Sequence, residues 1–231
     1  LTKPIPSRLL LFDIDGTLIT SGGAGERALC HAMEDRFGVV EDLSGVTLAG
    51  ATDIAIAEKL LAKHGLAGTP ENCASLLDAY LGYLSDHMGR FQGRLLPGIL
   101  TLLDSLRQNP NCVLGLLTGN LVNGARIKLS HYGVWDFFEF GAFADDHSNR
   151  NHLGPFARSR AKERHGIEFS PEQIYVIGDT PRDIECGKAF GAKTVAIATG
   201  NYSIQELGEH GPDFVFEDFS NTQQVLSALL E

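Results

Sequence analysis

The stretch LLLFDIDGTLITSGG, Leu9 to Gly23, decides the fold. Leu9, Leu10, Leu11, Phe12 and Ile14 bracket Asp13, and the run breaks at Gly16. A short apolar run closed by a turn residue reads as a strand buried on both faces, Arg8 to Ile14, with Asp13 near its carboxyl end. Open α/β sheets place their ligands at such ends. Asp13 and Asp15 stand two apart, so ideal strand geometry points both side chains the same way. Two carboxylates that close require a cation or a shared proton, and a divalent metal is the simplest remedy. The competing reading makes both residues turn formers ahead of Gly16.

Beyond this strand, Thr20 to Gly25 is small and glycine-rich, a flexible exit that suits a hinge. From Glu26 to about Phe91 the periodicity becomes helical: Ala28, Leu29, Ala32, Met33 and Phe37 recur at three- and four-residue spacings, as do Ile56, Ala57, Leu60 and Leu61, then Leu76, Leu77, Tyr80, Leu81 and Leu84. An insert of about 70 residues is too long for a loop and reads as a helical cap subdomain. The expected division is 1–20 and 92–231 for the core and 21–91 for the cap.

After Pro97 and Gly98 the pattern alternates. Apolar strands are predicted at Cys112–Leu117, Phe137–Phe143, Ile174–Ile177, Thr194–Ala198 and Phe214–Phe216, with helices at Ile99–Leu106, Gly124–His131, Pro155–Arg164 and Ile184–Phe190. Such alternation implies an α/β fold, a Rossmann-like parallel sheet covered by helices on both faces.

The 231 residues, 43% hydrophobic, suffice for one large domain with an appended subdomain. A net charge of −10 opposes binding to nucleic acid or acidic lipid. The four cysteines lie far apart, as reduced core thiols do rather than a disulfide frame. No segment resembles a signal peptide or reaches membrane-spanning length, and the expected location is the cytoplasm.

Three predicted strand ends carry polar groups: Asp13 and Asp15; Thr118, followed by Gly119 and Asn120; and Asp179, followed four residues on by Asp183. In a parallel sheet these ends open on one edge and converge on one crevice. Thr118 and Asp179 also precede helices, where either could serve only as an N-cap.

DIDGT at Asp13–Thr17, LLTGN at Leu116–Asn120 and VIGDTPRD at Val176–Asp183 resemble the first, second and fourth motifs of the haloacid dehalogenase-like hydrolase superfamily, in the same order and with a helical insert after the first strand. The resemblance implies a Mg²⁺-dependent phosphatase, similar to phosphoglycolate phosphatases, acting on a small phosphorylated metabolite. Asp13 would be the nucleophile that forms an aspartyl phosphate, and Asp15 the general acid and then base. Thr118 would donate its hydroxyl to a phosphoryl oxygen, with Gly119, Asn120 and Lys128 on the substrate side. Asp13, the backbone carbonyl of Asp15, and Asp179 would hold Mg²⁺, with Asp183 a direct ligand or an outer support. The family's third motif has a lysine, and this chain departs from it: RNHLGP places Arg150 there, with Lys128 as the runner-up. Asp15 counts against the dehalogenase branch, which lacks that aspartate. A phosphosugar mutase of the beta-phosphoglucomutase type and a non-catalytic phospho-aspartate switch are the alternatives. A monomer or homodimer without nucleic-acid or membrane partners is expected.

Overall fold

The computed structural model describes residues 7–230. Strand β1 (Arg8–Phe12) is followed by β2 (Ile19–Thr20), helices α1 (Ala24–Phe37), α2 (Asp53–Lys63) and α3 (Pro70–Met88), and β3 (Arg94–Leu95). Then come α4 (Ile99–Arg107), β4 (Cys112–Leu117), α5 (Val122–His131), β5 (Gly141–Ala142), α6 (Gly154–His165), β6 (Ile174–Gly178), α7 (Pro181–Ala189), β7 (Lys193–Ile197), α8 (Ile204–Glu209), β8 (Phe214–Phe216) and α9 (Thr222–Leu230). Six strands form one sheet in the order β5–β4–β1–β6–β7–β8, every pair parallel. The first strand therefore lies inside the sheet, and the α/β class expected from the alternation is the one observed.

Successive side chains of β1 leave on opposite faces, as the strand period requires. Leu10 and Phe12 join Ile99, Leu102, Leu103 and Leu106 of α4 and Val225 and Leu229 of α9. Leu9 and Leu11 join Leu153, just ahead of α6, and Ala157 and Ala161 within it. Burial of both faces explains the unbroken apolar run. Register aligns the ends, since Phe12 pairs with Leu116 on one side and Ile177 on the other.

Helices α1, α2 and α3 bury a separate apolar cluster that includes Leu29, Met33, Ile56, Leu60, Leu76 and Leu84. Thr52 caps α2 through Ala55 N–H and Thr69 caps α3 through Asn72 N–H, while α1 stops at Gly38 in the left-handed conformation. The two crossings between this cluster and the sheet are tied together by antiparallel pairing of β2 with β3. No helix among the described residues is long and apolar enough to cross a membrane.

Two expectations need correction. The strand predicted at Phe137–Phe143 shrinks to Gly141–Ala142, preceded by a 3₁₀ turn at Trp135–Phe137. Its aromatic residues pack instead of pairing: Phe138 lies 5.8 Å from Phe12, and the Arg107 guanidinium covers Phe137 at 3.6 Å. The second concerns Asp13 and Asp15. Strand β1 ends at Phe12, before either of them, and the chain then turns at Gly16 with φ of 82°. Their carboxylates consequently face different partners.

Candidate active site

Asp13 follows β1 directly and is anchored by its N–H to Ile177 C=O, 2.9 Å away. Its buried carboxylate meets Asp179 and Asp183 from the end of β6 and the first turn of α7, with one oxygen of each within 4.8 Å of the others. Asp183 does two jobs: Oδ2 accepts from Thr180 N–H and O–H, at 3.0 and 2.7 Å, closing a capping box, while Oδ1 meets Arg150. The N-cap of α7 is thus Thr180, not Asp179, and that of α5 is Leu121, not Thr118. Thr17 O–H donates to Asp179 Oδ1 at 3.0 Å. Gly16 must be glycine here, because a Cβ would stand 2.3 Å from the Asp179 carboxylate.

Arg150 and Lys128 both reach the site, at different places. Arg150 lies on a 3₁₀ turn at Arg150–His152 before α6, fully desolvated, with Nη2 2.8 Å from Asp13 Oδ1 and also on Asp183. Lys128 projects from α5, and its Nζ lies 2.6 Å from both Asp15 Oδ2 and Asn120 Oδ1. Asn120 Nδ2 donates to Asp15 Oδ2 and Thr118 Oγ1, each at 2.9 Å. Thr118 Oγ1 accepts from this amide and from Asn120 N–H, so its own proton remains to be donated. The Asp15 side chain is 42% exposed, open to exchange with solvent.

Burial pushes the Asp13 carboxyl up to about 6; the Arg150 guanidinium opposes the shift, and Asp183 and Asp15 add to it. Burial also raises Asp179 well above the carboxylate range, helped by repulsion from Asp183 and Asp13. For Arg150, burial favours the neutral form, but Asp13 and Asp183 outweigh it and the pKa rises. Lys128 behaves alike: burial is overcome by Asp15, Tyr80 and Asp53, and the ammonium is held charged.

The helical insert closes over these groups. Asp53 N–H donates to Gly119 C=O at 2.7 Å, and Asp53 Oδ2 accepts from Leu121 N–H at 2.8 Å. Thr52 O–H donates to Ser148 C=O at 2.5 Å, and Arg150 Nη1 to Gly50 C=O at 3.3 Å. A cavity of about 330 Å³ remains between insert and sheet, bordered by Asp13, Asp15, Asp179, Lys128 and Arg150 below.

Residues 10–197 match the family described as haloacid dehalogenase-like hydrolase. The chain belongs to that family. This hydrolase is 26% identical over 222 residues to the phosphoglycolate phosphatase of Synechococcus elongatus, an overlap of 96% of this chain and 98% of that one. With pyrophosphatase PpaX of Bacillus pumilus it shares 28% identity over 131 residues, 55% of this chain and 59% of the other. The crystal structure of a hydrolase from Pseudomonas syringae superposes with a TM-score of 0.75 at 23% identity, covering 97% of this chain and all of that one, a likeness of fold.

The carboxylates suit a hard divalent cation. Asp13, Asp179 and Asp183 offer only oxygen, which Mg²⁺ prefers, and repulsion from Asp183 and Asp13 adds to the burial that raises Asp179. The Asp15 side chain stands apart from this cluster, on Lys128 and Asn120.

Tyr80 escaped the sequence reading as a site residue; Asp53 closes Leu48–Asp53, the loop entering α2 whose helix N-terminus the sequence marks as able to meet the far end of a small acid or sugar phosphate. Both are buried and border the cavity. Asp53 follows the Thr52 cap, and Tyr80 falls on the apolar period of α3, so local helix chemistry already accounts for each of them.

Proposed function

We propose that this hydrolase is a Mg²⁺-dependent phosphatase acting on a small phosphate monoester through an aspartyl-phosphate intermediate on Asp13. The observation that carries the reading is the desolvated Asp13 carboxylate, held by Arg150 at 2.8 Å and facing the cavity beside Asp179. Its ionised oxygen attacks phosphorus, the bond to the leaving oxygen breaks, and protonated Asp15 supplies that oxygen's proton. Water then attacks phosphorus while Asp15 takes its proton, and phosphate departs as the bond to Asp13 breaks. Arg150 keeps Asp13 aligned, and its guanidinium opposes phosphoryl charge. Thr118 and the Gly119 loop donate to phosphoryl oxygens, while Lys128 and Asn120 hold Asp15 in place. Asp13 and Asp179, with Asp183 as ligand or support, would hold Mg²⁺, which would supply neutralisation of the phosphoryl charge.

Para-nitrophenyl phosphate with Mg²⁺ tests this. Sustained turnover that Asp13→Asn lowers by about a thousandfold or more is expected, the scale of losing an activated nucleophile. One equivalent of phosphorylation without turnover would instead indicate a phospho-aspartate switch.

A further inference from the structure

We propose that the leaving group of the substrate is an uncharged, hydroxyl-bearing fragment such as a small polyol or sugar, and carries neither a carboxylate nor a second phosphate. This rests on the phosphatase reading above. One wall of the cavity is built by the helical insert. That wall is lined by two acids, Glu26 and Asp53, by Tyr80, and by the apolar residues Leu29, Leu48 and Ile56. Among the described residues it presents no lysine or arginine to the cavity.

The cations that border the cavity are already engaged. Lys128 is paired with Asp15 and Asn120, Arg150 with Asp13 and Asp183. At the N-terminus of α2, the helix end that would attract an anion, closure of the insert takes two of the N–H groups: Asp53 N–H is on Gly119 C=O, and Ala55 N–H on Thr52 Oγ1. A carboxylate on the leaving group would therefore face Asp53 and Glu26 with no lysine or arginine of the insert beside them, a like-charge contact that discriminates against it. Hydroxyls meet the opposite situation. The two carboxylates accept from them, and the Tyr80 phenol, held protonated by burial and by the nearby Asp53, both donates and accepts. A cavity of about 330 Å³ is at the small end of ligand sites, which limits the fragment to a few carbons beside the phosphate.

The intact protein with Mg²⁺ is assayed on sn-glycerol 3-phosphate, 2-phosphoglycolate and para-nitrophenyl phosphate. The expected kcat/KM for glycerol 3-phosphate exceeds that for 2-phosphoglycolate by about tenfold or more. Glu26→Lys, at an exposed position that folding tolerates, should move the ratio of the two about tenfold towards 2-phosphoglycolate, and a ratio is insensitive to the fraction of active enzyme. Equal or better turnover of 2-phosphoglycolate, with para-nitrophenyl phosphate hydrolysed, overturns the inference and leaves the phosphatase reading standing. A preference for glycerol 3-phosphate that Glu26→Lys leaves unmoved overturns its assignment to the insert wall. No hydrolysis of any of the three overturns both readings.

Discussion

Arg150, which we propose stands in for the lysine of the family's third motif, has a planar fork that does what an ammonium could not do from one position. One guanidinium touches Asp13, Asp183, the Leu117 carbonyl and the Gly50 carbonyl. Asp53 illustrates the opposite economy, a buried acid with a single N–H donor on its carboxylate and Lys128 as its nearby cation. Burial raises its pKa to about 6, against the opposing effects of Lys128 and the Leu121 N–H. Because the folded pKa lies above the unfolded value of 3.8, the folded state binds more protons between these two values, and stability falls as pH rises through that window. Below about pH 4 the penalty vanishes, and above about pH 6 it is complete. Asp53→Asn keeps an acceptor for Leu121 N–H, so in urea unfolding it should stabilise by about 1–3 kcal/mol at pH 7.5 and by roughly nothing at pH 4. At this scale the sequence was legible where a polar residue interrupts an apolar strand end, as at Asp13, Thr118 and Asp179. It was not legible at Tyr80, whose position is already explained by the helical period.

At the scale of elements, helix α2 and the loop after β4 meet backbone to backbone. Gly119 is the point of closest approach, since a Cβ there would lie 2.0 Å from the Ala51 carbonyl oxygen. Gly119→Ala must push α2 away and disturb the hydrogen bonds from Asp53 to Gly119 and Leu121. An expected destabilisation of about 1–3 kcal/mol in urea melts, the usual range for overpacking, should be accompanied by a clear drop in kcat/KM. Hydrophobic period and turn residues revealed the strands and helices that bury whole faces, β1, β4, β6 and α1 to α3. They failed at β5, because Phe137, Phe138 and Phe140 mimic a strand while serving as packing for Phe12, Arg107 and the Gly115 backbone. They also passed over β2 and β3, two residues each, which are too short to carry any periodicity.

For the molecule as a whole, a net charge of −10 surrounds a site in which three carboxylates already repel one another. Binding of Mg²⁺ to the folded state alone should therefore raise stability. At about a hundred times the dissociation constant the gain is about 2.7 kcal/mol, which for a chain of this length is roughly 5–10 °C in Tm. Thermal melts with Mg²⁺ and with EDTA check this, and Asp179→Asn should flatten the difference.

The position of β1 inside the sheet has a consequence for how the protein is made. Leu9 needs Val113 on one flank and Ile174 on the other, partners that leave the ribosome long after it does. This apolar strand must wait, uncovered, while the intervening helices assemble among themselves. Long-range parallel pairing of this sort is slow and prone to aggregation, so during synthesis the segment that bears the nucleophile is also the one most in need of a chaperone's protection.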